Sequence, residues 1–199
     1  MVCLLPIITG LLLWNDLPGQ IPAHFDFNGN VDSYSEKAEI VFFLPLLLLA
    51  EHMMMVVLAC LQKSEGKIWR LLLWLLPTIS VCTSAVIYAN ALGYPVNIVL
   101  FVEVLFGSLI IMTGNYFPKC HQNYIIGIRT PWTLKDEENW HSTHRIAGKM
   151  WVMGGIIILI AALALPSDLW ALLLDMAILF VFPVIYSFSF HLKKKYQHL

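Results

Sequence analysis

Six apolar stretches, over roughly 2–17, 38–61, 69–92, 96–115, 147–165 and 168–190, decide which solvent this chain folds in. A helix needs about 20 mostly apolar residues to cross the hydrocarbon core of a bilayer. In hydrocarbon each backbone N–H and C=O must be paired within its own segment, so such stretches become helices. Composition agrees: Asp, Glu, Lys and Arg make up 13% of the 199 residues and hydrophobic residues 59%, too little charge to cover a soluble domain. The fold class is read as all-α, a polytopic membrane protein of about six transmembrane helices. The first stretch, "MVCLLPIITGLLLWNDLPG", is short for a span. It has no basic start and no small-x-small cleavage site, so it reads as a retained first helix and not a signal peptide. Pro45, Pro77 and Pro183 fall inside spans, where neighbouring helices can satisfy the freed carbonyls. Cys3, Cys60, Cys82 and Cys120 fit neither a zinc site nor a disulfide framework and read as small packing residues.

Basic residues orient the spans, because cytoplasmic connections carry the excess of Lys and Arg. The 16–37 connection has Asp16, Asp26, Asp32 and Glu36 but only Lys37. The 62–70 connection has Lys63, Lys67 and Arg70, the 116–146 connection has Lys119, Arg129, Lys135 and Arg145 with Lys149 just beyond, and the tail has Lys193, Lys194 and Lys195. The 93–95 and 166–168 connections have none. Both termini are therefore expected in the cytoplasm, the acidic 16–37 connection outside and the 116–146 connection inside. Residues 1–61 read as a two-span module with an outer loop, and 62–199 as a four-span module with a cytoplasmic loop and helix at 115–149.

Two connections carry more than topology. In "LPGQIPAHFDFNGNVD" two prolines favour extended chain, Asn28-Gly29 favours positive φ, and Asp32 can cap the segment after it. His24, Asp26 and Asp32 have metal-ligating chemistry but no metal spacing, so a structured turn is the plainer reading. The second connection contains "IIGIRTPWTLKDEENWHSTHR", residues 125–145. Thr130 before Pro131, or Thr133 before Asp136, can cap a helix, and Asp136, Glu137 and Glu138 suit its first turn. From Thr133 the pattern stays helical into the fifth span. Trp140, His144, Ala147 and Trp151 fall on one face and Glu137, His141, Arg145 and Gly148 on another. The tryptophans are expected at the membrane interface. Arg129 and Arg145 can clamp an anionic partner or pair with local acids. Glu137, His141 and His144 are weak metal candidates, since the spacing is not that of a zincin helix. A solvated interfacial helix with internal ion pairs competes with that reading.

Ionisable groups also sit inside spans. Glu51 and His52 lie mid-way along the second span, Glu103 in the fourth and Asp175 in the sixth. Burying them costs several kcal/mol unless they are paired or reach water. Glu51, about 18 Å deep, and Glu103, about 11 Å deep at 1.5 Å per residue, are expected to face the bundle. There Glu51 or His52 can meet Glu103, as a structural hydrogen bond or as the wall of a polar cavity lined by Met53, Met54 and Met55.

Two long motifs carry a family resemblance. Leu17, Pro18, Ile21, Pro22, His24, Phe25, Gly29 and Asp32 follow the pattern LP-x-x-IP-x-HF-x-x-x-G-x-x-D of an N-terminal membrane module of unassigned function. "GNYFPKCHQNYIIGIRTPWTLKDEENWHSTHRIAGK" resembles the signature of the SdpI family of bacterial membrane proteins. The resemblance implies an integral protein of the bacterial cell membrane that gives immunity to a secreted toxic peptide and signals by holding a transcriptional repressor at the membrane. It implies no cofactor and no direct nucleic-acid contact. The residues it marks for ligand or partner are His24, Phe25 and Asp32 outside, and Asn115, Asn123, Arg129, Thr130, Pro131, Trp132, Trp140, His144 and Arg145 inside. A membrane enzyme built on Glu137, His141 and His144 or on Glu51, His52 and Glu103 is the first rival. A small transporter is the second, although no internal repeat or glycine-interrupted helix pair supports it.

Overall fold

The computed structural model describes residues 2–61, 67–165 and 169–197. Lys63 of the basic 62–66 connection and the 166–168 connection lie outside the described residues. Among the described residues five helices are long and apolar enough to cross a membrane: Glu39–Leu61, Leu73–Ala91, Ile98–Lys119, Glu137–Ala164 and Leu169–Tyr196. The first apolar stretch is shorter. Its helix, Val2–Leu12, rises about 16 Å, roughly half of the hydrocarbon core.

The chain forms two compact units, Met1–Ile98 and Val99–Leu199. In the first, a short turn leads into α1 (Leu5–Leu12). The chain then turns at Leu13–Leu17 into an antiparallel hairpin of β1 (Gln20–Phe25) and β2 (Val31–Glu36). The extended chain and the turn at Asn28-Gly29 are as expected from the sequence; the pairing of the two arms into strands is what the structure adds. Asp26 folds its tip by accepting from the backbone N–H groups of Asn28 and Asn30 at 2.9 and 2.8 Å, and Gly29 supplies φ 82°. Lys37, the lone cation of this connection, donates to the carbonyls of Trp14 (2.8 Å) and Leu17 (3.2 Å) and lies 4.7 Å from the Trp14 ring. It satisfies carbonyls of the Leu13–Leu17 turn that follows α1. A wide π-type turn, Glu39–Phe43, opens α2 (Leu44–Leu61), and α3 (Lys67–Ala91) comes next. Leu17 and Ile21 pack with Val41, Ile87 and Tyr88, which seats the hairpin on the ends of its own helices. A Cβ on Gly10 would lie 2.7 Å from Val41 Cγ1, so α1 can approach only because that residue has no side chain.

The second unit holds α4 (Ile98–Tyr116), a 3-10 turn (Phe117–Lys119), α5 (Glu137–Ala164) and α6 (Leu169–Gln197). Gly107 and Gly114 of α4 meet Gly155 and Gly148 of α5 backbone to backbone. A Cβ on Gly148 would lie 2.7 Å from the Gly114 carbonyl, and one on Gly155 2.7 Å from that of Gly107. Small residues at a seven-residue interval are how membrane helices come close when lipid offers no hydrophobic drive. Trp151 ties α5 to α6, its indole N–H donating to the Leu179 carbonyl at 2.9 Å. The other side of α5 presents Ile156, Ile157, Ile160 and Leu163 as exposed apolar surface, suited to lipid. As expected, α5 runs unbroken from the polar segment into the span. Its start is corrected from Thr133 to Glu137, and the cap is Asp136, whose side chain accepts from the N–H groups of Glu138 and Asn139. Thr130 and Thr133 do not cap α5. The Thr133 hydroxyl donates to the Ile128 carbonyl (2.7 Å) and accepts from the Thr130 N–H (2.9 Å), so both threonines are used in a local turn.

Candidate functional site

The 117–136 segment folds back as a cage on the exposed end of α5. Its foundation is Trp140, fully buried, which donates from its indole N–H to the Cys120 carbonyl at 2.8 Å. The loop covers Trp140, so its ring packs against protein. His144, one turn on, stacks on Trp140 with centroids 4.1 Å apart. The Ile128 N–H donates to His144 Nε2 at 3.0 Å, so that nitrogen carries no proton; Nδ1 faces the Trp140 carbonyl at 2.8 Å and must hold it. Both ring nitrogens are committed in a neutral imidazole. The chain passes this close only through Gly127, at φ 113°; a Cβ there would overlap His144 Nε2.

Asn123 closes the near side of the cage. Its Oδ1 accepts from the N–H groups of Ile125 and Ile126, both at 2.8 Å, and its Nδ2 donates to the Ile126 carbonyl at 3.1 Å. Gln122 donates to the Thr133 carbonyl at 2.7 Å. The far side is tied to α6: Trp132 donates to Ser187 Oγ at 2.7 Å, and Asn139, held by Thr143, donates to the Ser187 carbonyl at 3.0 Å. Asp136 closes the corner through Lys194 at 2.8 Å. Burial pushes the Asp136 carboxyl up, but Lys194 and the N–H groups at the start of α5 outweigh it and hold the group below its usual range. The Cys120 thiol is buried and pushed up by desolvation, which makes it a poor nucleophile. Gln122, Asn139 and Ser187 are structural members of the site that sequence motifs alone do not mark. A polar pair at helical spacing, Asn139 and Thr143, is the available signal.

Arg129, Pro131 and Arg145 are exposed on the outside of this cage. Arg129 donates to the Tyr124 carbonyl at 2.6 Å. Among the described residues Arg145 has no ion-pair partner, so its guanidinium is available to an anionic or carbonyl-rich partner. Asn115 is exposed at the end of α4. Glu137 and His141 lie 3.6 Å apart while His144 is committed within the cage. No three His, Cys, Asp or Glu side chains among the described residues are grouped to hold a metal ion.

On the hairpin His24 is exposed, its Nδ1 2.6 Å from Asp32 Oδ1, and Phe25 is half-buried. This pair locks the strands across from each other. Asp26 is held below its ordinary range, chiefly by the Asn30 side chain. Of the intramembrane set, Glu103 is buried on the α4 face that carries Gly107 and Gly114. Glu51 departs from expectation and is exposed. The packed stripe of α2 runs through Pro45, His52 and Ala59, seven residues apart, and Glu51 lies about 100° off it beside exposed Leu47, Met54 and Leu58. Asp175 is half-buried on α6.

Fold and site thus define a helical, multi-pass membrane protein with a small hairpin on one connection and a hydrogen-bonded Trp-His cage on another. The family model described as SdpI/YfhL protein family matches residues 119–187, the cage and the two helices beneath it. That of a Domain of unknown function (DUF1648) matches residues 1–49, with the hairpin. Immunity protein SdpI of Bacillus subtilis (strain 168) is 32% identical over 200 residues, covering 98% of this chain and 93% of the relative. No solved structure matches. The chain belongs to the SdpI family and is a multi-pass protein of the bacterial membrane.

Proposed function

We propose that this protein protects its cell from a secreted toxic peptide, received on the hairpin side, and reports the encounter through the Trp-His cage to a repressor held at the cytoplasmic face. The similarity to Immunity protein SdpI along 98% of the chain is the observation that carries this reading. Two features support its geometry. Three helices, α2, α3 and α4, separate the hairpin from the cage, an odd number of crossings that holds whether or not the short α1 spans. The basic residues Arg129, Lys135, Arg145 and Lys149 cluster on the cage side and are exposed, as a cytoplasmic surface requires.

The test is survival. The chain is expressed in a sensitive Bacillus subtilis strain that lacks its own SdpI, and cells are challenged with supernatants from that species and from the chain's own host. Protection above an empty vector by either supernatant is the expected result. No protection from either, with the protein present in the membrane, contradicts the reading.

A further inference from the structure

Between the cage and the end of α6 lies a cleft of about 360 Å³ that the immunity reading does not use. Pro131 and Trp132 line it with Lys135, Asp136, Lys194 and Lys195, and His191 closes one side. Three lysines face one carboxylate. Lys194 is occupied, 2.8 Å from Asp136 and 2.9 Å from Glu138. Lys135 and Lys195 are exposed and form no ion pair among the described residues, so the cleft keeps two unpaired ammonium groups and a net positive charge even with Glu138 counted. Its aromatic wall is rigid: Trp132 is fixed by Ser187 at 2.7 Å, by Phe188 at 5.1 Å between centroids and by stacking on His191 at 6.2 Å.

Depth identifies the ligand. With Leu169 at one edge of the hydrocarbon core, Lys193–Lys195 lie about 36–39 Å along α6 at 1.5 Å per residue, just past a core about 30 Å thick. Phe188, its ring 5.1 Å from that of Trp132, and Val184 one turn before it are exposed apolar surface that continues from the cleft along α6. A molecule with a phosphate at the lysines, a glycerol body against Trp132 and chains along Phe188 and Val184 is complementary to this arrangement. We infer that the cleft between the cage and the end of α6 binds the phosphodiester headgroup of an anionic membrane lipid. A soluble phosphate shares the charge chemistry but leaves the apolar path beneath the cleft uncovered.

The experiment compares wild-type protein in nanodiscs of phosphatidylcholine with and without phosphatidylglycerol, with native mass spectrometry of the lipid retained. Wild type is expected to retain phosphatidylglycerol in preference. The pair Lys135→Gln/Lys195→Gln should reduce that preference by about tenfold or more, since each lysine near the headgroups contributes about 1 kcal/mol. The pair Lys119→Gln/Lys149→Gln removes the same charge from exposed positions outside the cleft and should leave the preference near the wild-type value. No preference in wild type, or equal loss in both pairs, overturns the assignment. In a separate arm inorganic phosphate is added to protein in neutral detergent. Quenching of tryptophan fluorescence by phosphate, without retained lipid, assigns the cleft to a soluble anion and overturns the lipid.

Discussion

At the scale of single residues the cage rests on one glycine and one imidazole. Gly127 has a backbone conformation that side chains rarely adopt, and its missing Cβ is the space that His144 occupies. Gly127→Ala should therefore destabilise the protein by about 2 kcal/mol or more, read as a lower thermal midpoint in detergent. A midpoint equal to wild type would show that the loop is not docked on His144. Arg145 behaves in the opposite way: exposed and without an ion-pair partner among the described residues, its replacement by Ala should change stability by no more than about 0.5 kcal/mol. Any loss of signalling in Arg145→Ala then measures a partner contact, and unchanged signalling removes Arg145 from the binding surface. The sequence shows the Trp140–His144 pair by its helical spacing but not the partners of either residue. Those partners are carbonyls and N–H groups of Cys120 and Ile128, and backbone groups leave no signature at a distance in sequence.

Among the secondary-structure elements, apolar length and periodicity are sufficient for the five long spans and for the continuity of α5, while the first stretch yields only the short helix Val2–Leu12. They fail where local hydrogen bonds override pattern. The hairpin is hidden because Pro22 lies within β1 and because the register shifts between Pro22 and Phe25; a proline ordinarily argues against a strand interior. The start of α5 departs from expectation because Thr130 and Thr133, both competent caps, bond to each other's backbone instead. Asp136 is the functioning cap and also the anchor of Lys194. Asp136→Asn keeps the cap and loses the ion pair, so it should cost less than Asp136→Ala, which also loses about 1 kcal/mol of capping. The folded carboxyl is held below its unfolded range. Its contribution is thus present above that range and is lost as pH falls through the lowered value. In wild type the α5–α6 corner should loosen only in acid, and in Asp136→Asn that acid step should be absent from the unfolding profile. An acid step of the same size in Asp136→Asn would assign it to another group.

For the whole molecule the proposed function requires sidedness: the hairpin outside and the cage inside, with three helices of chain between them. The positive-inside pattern is what leads the sequence to that expectation, with Lys37 as its exception, and the hairpin accounts for Lys37 by bonding it to the carbonyls just past α1. Family membership does not by itself fix which face meets which partner. Thiol labelling of intact cells with a membrane-impermeant reagent does so directly. Native Cys120 is 3% exposed and unsuited as a reporter, whereas Tyr124, at 75%, stands on the outer surface of the cage and Asn30 is exposed near the hairpin tip. With Cys60 replaced by Ser, Asn30→Cys should be modified on intact cells and Tyr124→Cys only after lysis. Modification of Tyr124→Cys on intact cells, or protection of Asn30→Cys until lysis, would contradict the orientation on which the proposed passage of signal from peptide to repressor depends.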